Sequence, residues 1–168
     1  MAYDPGPWHD FYVMAGGAAA ALTGLLFVAM SLHASAIMRN PFFRYRAIGT
    51  LTMLTTQLLL AAAVLVPGQP LAILGAEVEL AALFFLGQTV RGITRRGPSS
   101  GNVRMGRVRE LAEIVGGSVW VVVFIASGLS LMTQVGGGFY LLTFVIVAAF
   151  GWNIYVAWVL ITEVSEGG

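Results

Sequence analysis

Apolar residues run through this chain in five long stretches, with almost no polar position inside them. They cover about residues 11–38, 47–66, 71–90, 114–134 and 139–161. A helix rises 1.5 Å per residue, so roughly 20 apolar residues cross the hydrocarbon core of a bilayer. None of the stretches alternates apolar and polar residues as the strands of an outer-membrane barrel do. The pattern predicts an all-α integral membrane helical bundle of five transmembrane helices. A count of four would require the second and third stretches to form a re-entrant hairpin, but each is long enough to cross. Breakers separate the spans. Val66-Pro67-Gly68-Gln69-Pro70 predicts a tight turn between spans two and three, and Gln134-Val135-Gly136-Gly137-Gly138 does the same for spans four and five. The connection from Arg91 to Arg109 contains Gly97-Pro98-Ser99-Ser100-Gly101-Asn102 and reads as a mobile basic loop. Residues 1–168 are expected to form a single transmembrane domain.

Composition supports this reading and removes other classes. The 168 residues are 58% hydrophobic and only 10% charged, whereas a soluble domain carries about a quarter charged residues. With no cysteine there is no disulfide, thiolate metal site or iron–sulfur cluster. All nine cations are arginine, and without lysine there is no Schiff-base chemistry. A net charge of +1 gives no reason to expect nucleic acid as a partner. The acidic residues of the first ten positions, and the length of the run that follows, distinguish the first span from a cleaved signal peptide.

The charges set the orientation. Arg39, Arg44 and Arg46 lie between spans one and two, and the other six arginines lie between spans three and four. The loops after spans two and four hold none. The positive-inside rule therefore predicts the N-terminus outside and the C-terminus in the cytoplasm of a bacterial inner-membrane, multi-pass protein. Trp8 and Tyr12 at one end of the first hairpin, and Phe42, Phe43 and Tyr45 at the other, suit interfacial aromatic belts.

Small residues recur at Gly16, Ala20 and Gly24, four apart, widened by Gly17 and Ala21. Such a stripe lets another helix approach closely, either within the chain or from a second subunit. Five short spans enclose little interior, which favours a homo-oligomer. Ala148-Ala149-Phe150-Gly151-Trp152 offers a second packing face on the fifth span.

Against this apolar background, Glu77 and Glu79 stand out. Counted from Leu71 they lie roughly 9 and 12 Å into the third span. A charged carboxylate at the centre of a span costs about 2.5–3.5 kcal/mol on insertion scales. Two positions apart, they point to different sides of one helix and cannot share a proton within one subunit. Matching depths across the turn at Gly68 places Gln57 opposite Glu79, with Thr55 and Thr56 nearby and Ser127 and Ser130 in the same half of span four. Three readings stand: a polar clamp between Glu79 and Gln57, a cation or proton path lined by Glu77 or Glu79, or a register in which Glu77 reaches the headgroups. His33, near the inner end of span one, matches Asn153 on the fifth span or Gln88 on the third in depth, or reaches the interface. His9 lies about 36 Å from His33 along a helix, so the two cannot ligate one haem iron; with Asp10 it reads as an external anchor. Arg95, Arg96, Arg104 and Arg107 are candidate contacts for anionic lipid headgroups, although topology alone accounts for them. No phosphate loop, nucleophile elbow or HExxH motif occurs, so neither an enzyme nor a bound cofactor is expected.

The run Trp8-His9-Asp10-Phe11-Tyr12-Val13, followed by Gly16-Gly17, Leu22-Thr23-Gly24-Leu25-Leu26-Phe27-Val28, Ser31-Leu32 and Val66-Pro67-Gly68-Gln69, resembles a group of small multi-spanning membrane proteins of high-GC bacteria. Some of these carry a label as modulators of the membrane-anchored ATP-dependent protease. The resemblance covers about the first half of the chain, and no functional residue follows from it. Together the observations lead to an expectation of a homo-oligomeric ion channel or small-solute or proton-conducting pore. The alternative is a non-conducting accessory or scaffold subunit that regulates another membrane complex.

Overall fold

The computed structural model describes residues 2–94 and 119–166, and among these every regular element is helical. A short 3₁₀ turn at Gly6–Trp8 leads into α1, His9–Leu32. Then follow α2, Ala34–Arg39, α3, Pro41–Val64, and α4, Leu71–Thr94. Next come α5, described over Val119–Thr133, and α6, Gly138–Glu166. Among the described residues four helices are long and apolar enough to cross a membrane, namely Gly6–Leu32, Phe43–Val64, Leu71–Gln88 and Gly138–Trp158. The described part of the expected fourth span is apolar but only 15 residues long. Both α3 and α4 have 24 residues, about 36 Å of helix, which is more than a re-entrant hairpin requires.

The chain divides into two compact units. Of the described residues, one holds 3–68 and 146–166, the other 2, 69–94 and 119–145. In the first unit α1 packs along α3. Of the buried positions of α3, Ala47, Thr50, Leu54, Gln57, Ala61 and Val64 fall alternately three and four residues apart, with Leu60 buried beside them. That spacing keeps one seam facing a neighbour along the helix. On α1 the matching seam is Tyr12, Ala15, Gly16, Ala19 and Leu26. The pairing is antiparallel: a Cβ at Gly16 would stand 3.3 Å from that of Ala61, while Ile37 and Ala47 pack with Met30 and Phe43 at the other end.

The connection between α1 and α3 differs from the expected continuous span to Met38. The first helix closes at Leu32, and His33 leaves helical geometry at φ −110°, ψ 21°. Its Nδ1 lies 3.0 Å from the carbonyl oxygen of Ala29. Ala34–Arg39 then forms a separate six-residue helix. The second long helix starts at Pro41 rather than near Ala47, because a proline without an N–H suits the first position of a helix.

In the second unit α4 and α5 run antiparallel. Phe85 stacks on Phe124 with ring centroids 5.7 Å apart. Farther along the same pair, the backbones meet at glycines. A Cβ on Gly75 would stand 2.7 Å from the Gly128 carbonyl oxygen and would also collide with Met132. The turn into α6 uses left-handed backbone at Gln134, Gly136 and Gly137, with φ of 56°, 90° and 82°. Two of these three positions are glycine, which adopts that region without steric cost.

Candidate functional site

Chemistry in an apolar bundle resides in its few buried polar side chains, because each must find a partner or incur a desolvation cost. Most hydroxyls here are satisfied locally. Thr23, Thr50 and Thr56 donate to the carbonyls of Ala19, Arg46 and Thr52 one turn back, at 2.7, 3.0 and 2.9 Å. Ser127 donates to Phe124 at 2.8 Å and Ser130 to Val135. The two serines expected to lie near Glu79 thus bond to backbone carbonyls.

The two carboxylates have different surroundings, as their spacing predicts. Glu77 is partly buried, and its Oε2 accepts a hydrogen bond of 2.8 Å from Nε2 of Gln69. Gln69 lies eight residues earlier, just before α4 begins, so its side chain reaches along the first two turns. Sequence reasoning assigns Gln69 to the turn and gives it no partner. A carboxylate two turns into a helix, following an amide that precedes that helix, is the available signal.

Glu79 turns toward α5. Its Oε1 lies 2.5 Å from where a Cβ on Gly128 would stand, so the carboxylate fills the space that this glycine leaves open. Oε1 is buried and has no hydrogen-bond partner. In the other unit, neither Oε1 nor Nε2 of Gln57 has a hydrogen-bond partner. Gln57 is buried in the α3 seam at 2% exposure. Depth-matching along the sequence identifies it as a buried polar residue but does not reveal its lack of partners.

Asn153 of α6 is also 2% exposed, and its Nδ2 has no partner. It borders a groove of about 300 Å³ in the first unit, formed by α1 from Leu22 to Ala29, Leu54 of α3, and α6 from Asn153 to Ala157. His33, one turn beyond Ala29, ends α1 and is not part of this lining. At the other end of α1, His9 Nδ1 and Asp10 Oδ1 are 3.1 Å apart and exposed.

The small-residue stripe separates into two faces. Gly16 is buried against Ala61, whereas Ala20 is exposed, and a Cβ at Gly17 or Gly24 would meet nothing within 4 Å. On α6, Ala149 is buried and Gly151 open. The aromatic assignments also change. Tyr12 is fully buried and packs edge-on to Phe11, so it belongs to the core rather than to an interfacial belt. Phe43 packs on the Ile37–Ala47 cluster, while Tyr45 is exposed. Trp152, Tyr155 and Trp158 on α6 are exposed. Arg95, Arg96, Arg104 and Arg107 lie outside the described residues.

No protein-family model, curated protein or solved structure matches the chain. Its apolar helices define a multi-pass membrane protein that contacts the lipid bilayer.

Proposed function

We propose that the chain crosses the bacterial inner membrane five times, with its N-terminus outside and C-terminus in the cytoplasm, and that its copies assemble into a pore for protons or small cations. It is not an enzyme in this reading. The observation that supports it is Glu79, a carboxyl group that takes a backbone hydrogen bond from Leu129 but keeps a buried Oε1 without a partner, on a helix long and apolar enough to cross a membrane. A carboxylate in that position is costly, and packing alone would be served better by an apolar side chain. Its use is to bind a cation or to take up and release a proton. Glu77 leaves the candidate path because it accepts from Gln69 and, unlike Glu79, has no buried oxygen left without a partner.

The second reading, a non-conducting subunit that regulates another membrane complex, draws on the open side of α1. Gly17 and Gly24 leave a flat strip there on which a foreign helix can lie closely. The resemblance of the first half of the chain to proteins labelled as protease modulators belongs with this reading.

Flux into liposomes separates the two. Wild-type protein is expected to dissipate a proton or potassium gradient, Glu79→Gln to lose at least tenfold of that rate, and Glu77→Gln to stay within about twofold. Wild-type flux no greater than that of empty vesicles rejects the pore and leaves the regulatory subunit.

A further inference from the structure

We propose that the ion taken up by Glu79 is a proton, and that the notch holding its carboxyl group excludes metal cations. This deepens the pore reading of the same residue and rests on it. The notch lies where α4 and α5 cross at glycines. Oε1 of Glu79 and its carboxyl carbon stand 2.5 and 3.0 Å from where a Cβ on Gly128 would be, and the Gly75 carbonyl oxygen stands 3.0 Å from the same point. Oε1 is buried there with no hydrogen-bond partner, although the carboxyl group takes a backbone hydrogen bond from Leu129.

A metal cation in an apolar bundle must exchange its hydration shell for several protein oxygens at once. The notch has no room for an ion and its ligands, because Oε1 itself fills the space that the glycine leaves. Among the described residues no three acidic or histidine side chains gather to hold a metal ion. Positions 119–133 of α5 carry no titratable side chain, so no second carboxylate faces Glu79 from that helix. On α4, Glu77 is held by Gln69, and Arg91 lies about three turns farther along. Over the first two turns of α6 the titratable group is Tyr140, which is exposed.

A proton needs neither room nor a ring of ligands. It joins one oxygen lone pair, adds almost no volume and removes the charge that makes a buried carboxylate costly. One proton is bound in the step and one negative charge is lost. Protonated, Oε1 becomes a donor, and the Gly75 carbonyl oxygen is an acceptor bordering the same notch. The Glu79 side chain is partly exposed, so rotation toward that side takes the carboxyl group out of the notch and releases the proton to water.

Dicyclohexylcarbodiimide tests the site in the full wild-type chain in liposomes. It adds to a protonated carboxyl group in apolar surroundings: the acid's proton moves to a carbodiimide nitrogen, the carboxyl oxygen bonds to the central carbon, and the adduct rearranges to an N-acylurea. Mass spectrometry reads the modified fraction at Glu79, with Glu79→Gln as the blank. Labelling is expected to fall about tenfold or more from acidic to alkaline pH, as the protonated fraction does. Replacing choline by sodium, potassium or calcium is expected to change it less than about twofold. Labelling that is independent of pH, absent at every pH, or suppressed further by any of these metal ions overturns the proposal. Flux keeps this apart from the pore reading. Proton flux is expected with choline as the other cation, and potassium flux is expected to match that of empty vesicles. Potassium flux that Glu79→Gln abolishes overturns the proton assignment and leaves the pore standing. No flux of either ion rejects the pore reading, an outcome that the labelling distinguishes because it needs no conduction.

Discussion

The Glu79 carboxylate occupies the space above Gly128 where any other residue would carry its Cβ, with Oε1 2.5 Å from that position. The acidic side chain and the glycine are therefore one packing unit, although 49 positions separate them in the sequence. Alanine at 128 must displace the carboxylate and also meets the Gly75 carbonyl oxygen at 3.0 Å. Gly128→Ala is expected to cost about 1–3 kcal/mol, the usual range for overpacking. Thermal unfolding in detergent measures it. Truncating Glu79 to alanine in the same chain should recover only part of the loss, because the backbone contact persists.

Gly75→Ala is expected to be worse than Gly128→Ala. Its new methyl group faces the Gly128 carbonyl oxygen at 2.7 Å and the Met132 amide nitrogen at 3.2 Å, and neither backbone atom can rotate aside. Gly87, on the same helix, has nothing within 4 Å of a Cβ. Gly87→Ala should be neutral or stabilising by up to about 1 kcal/mol, as helix propensity favours alanine. Equal melting temperatures for Gly75→Ala and Gly87→Ala would remove the close crossing of α4 and α5.

Gln69 and Glu77 should behave as a coupled pair. Removing either side chain breaks the 2.8 Å hydrogen bond, so the second truncation has less to remove. A double-mutant cycle with Gln69→Ala and Glu77→Ala is expected to show about 1 kcal/mol of coupling in unfolding free energy. Additive losses would mean that the bond contributes nothing.

The two sides of α1 should respond oppositely. Gly16→Leu drives a branched side chain into Ala61 and is expected to destabilise the α1–α3 pair by about 2 kcal/mol or more. Gly24→Leu meets open space and should leave the melting temperature unchanged within a degree or two. If the open strip is where copies meet, Gly24→Leu lowers the oligomer mass seen by light scattering while the subunit remains folded.

Orientation is accessible through single cysteines, because the chain has none of its own. Cysteines at Asp4, Val66 and Val135 are expected to react with an impermeant maleimide added outside intact cells. One at Asn40 should react only after permeabilisation. Labelling of Asn40 from outside would invert the topology.

The long helices and both tight turns are legible because hydropathy and glycine–proline punctuation act locally. The break at His33 is not, since Ala34-Ser35-Ala36-Ile37-Met38 continues the apolar run with good helix formers. The decisive signals are instead His33 itself and the Asn40-Pro41 boundary. Gly75 and Gly128 escape notice for a different reason. Each stands alone among larger side chains, and only the crossing of two helices gives them a common role. Stripes of small residues are conspicuous in sequence, yet Gly24 turns outward while the lone glycines form the tighter contact. Buried polar residues can be identified by depth, but partner choice depends on rotation about the helix axis, which hydropathy does not encode. Glu77 and Gln69 illustrate this, bonded between the second turn of α4 and the turn that precedes the helix.

The strap from Gln69 to Glu77 joins the end of the turn, two residues before α4, to the helix's second turn. It acts as a depth gauge. The turn cannot peel away from α4, nor can the helix start shift by a residue, without parting the amide from the carboxylate. Where the surrounding bilayer thins or thickens, fraying at this end of α4 therefore carries the added cost of that hydrogen bond.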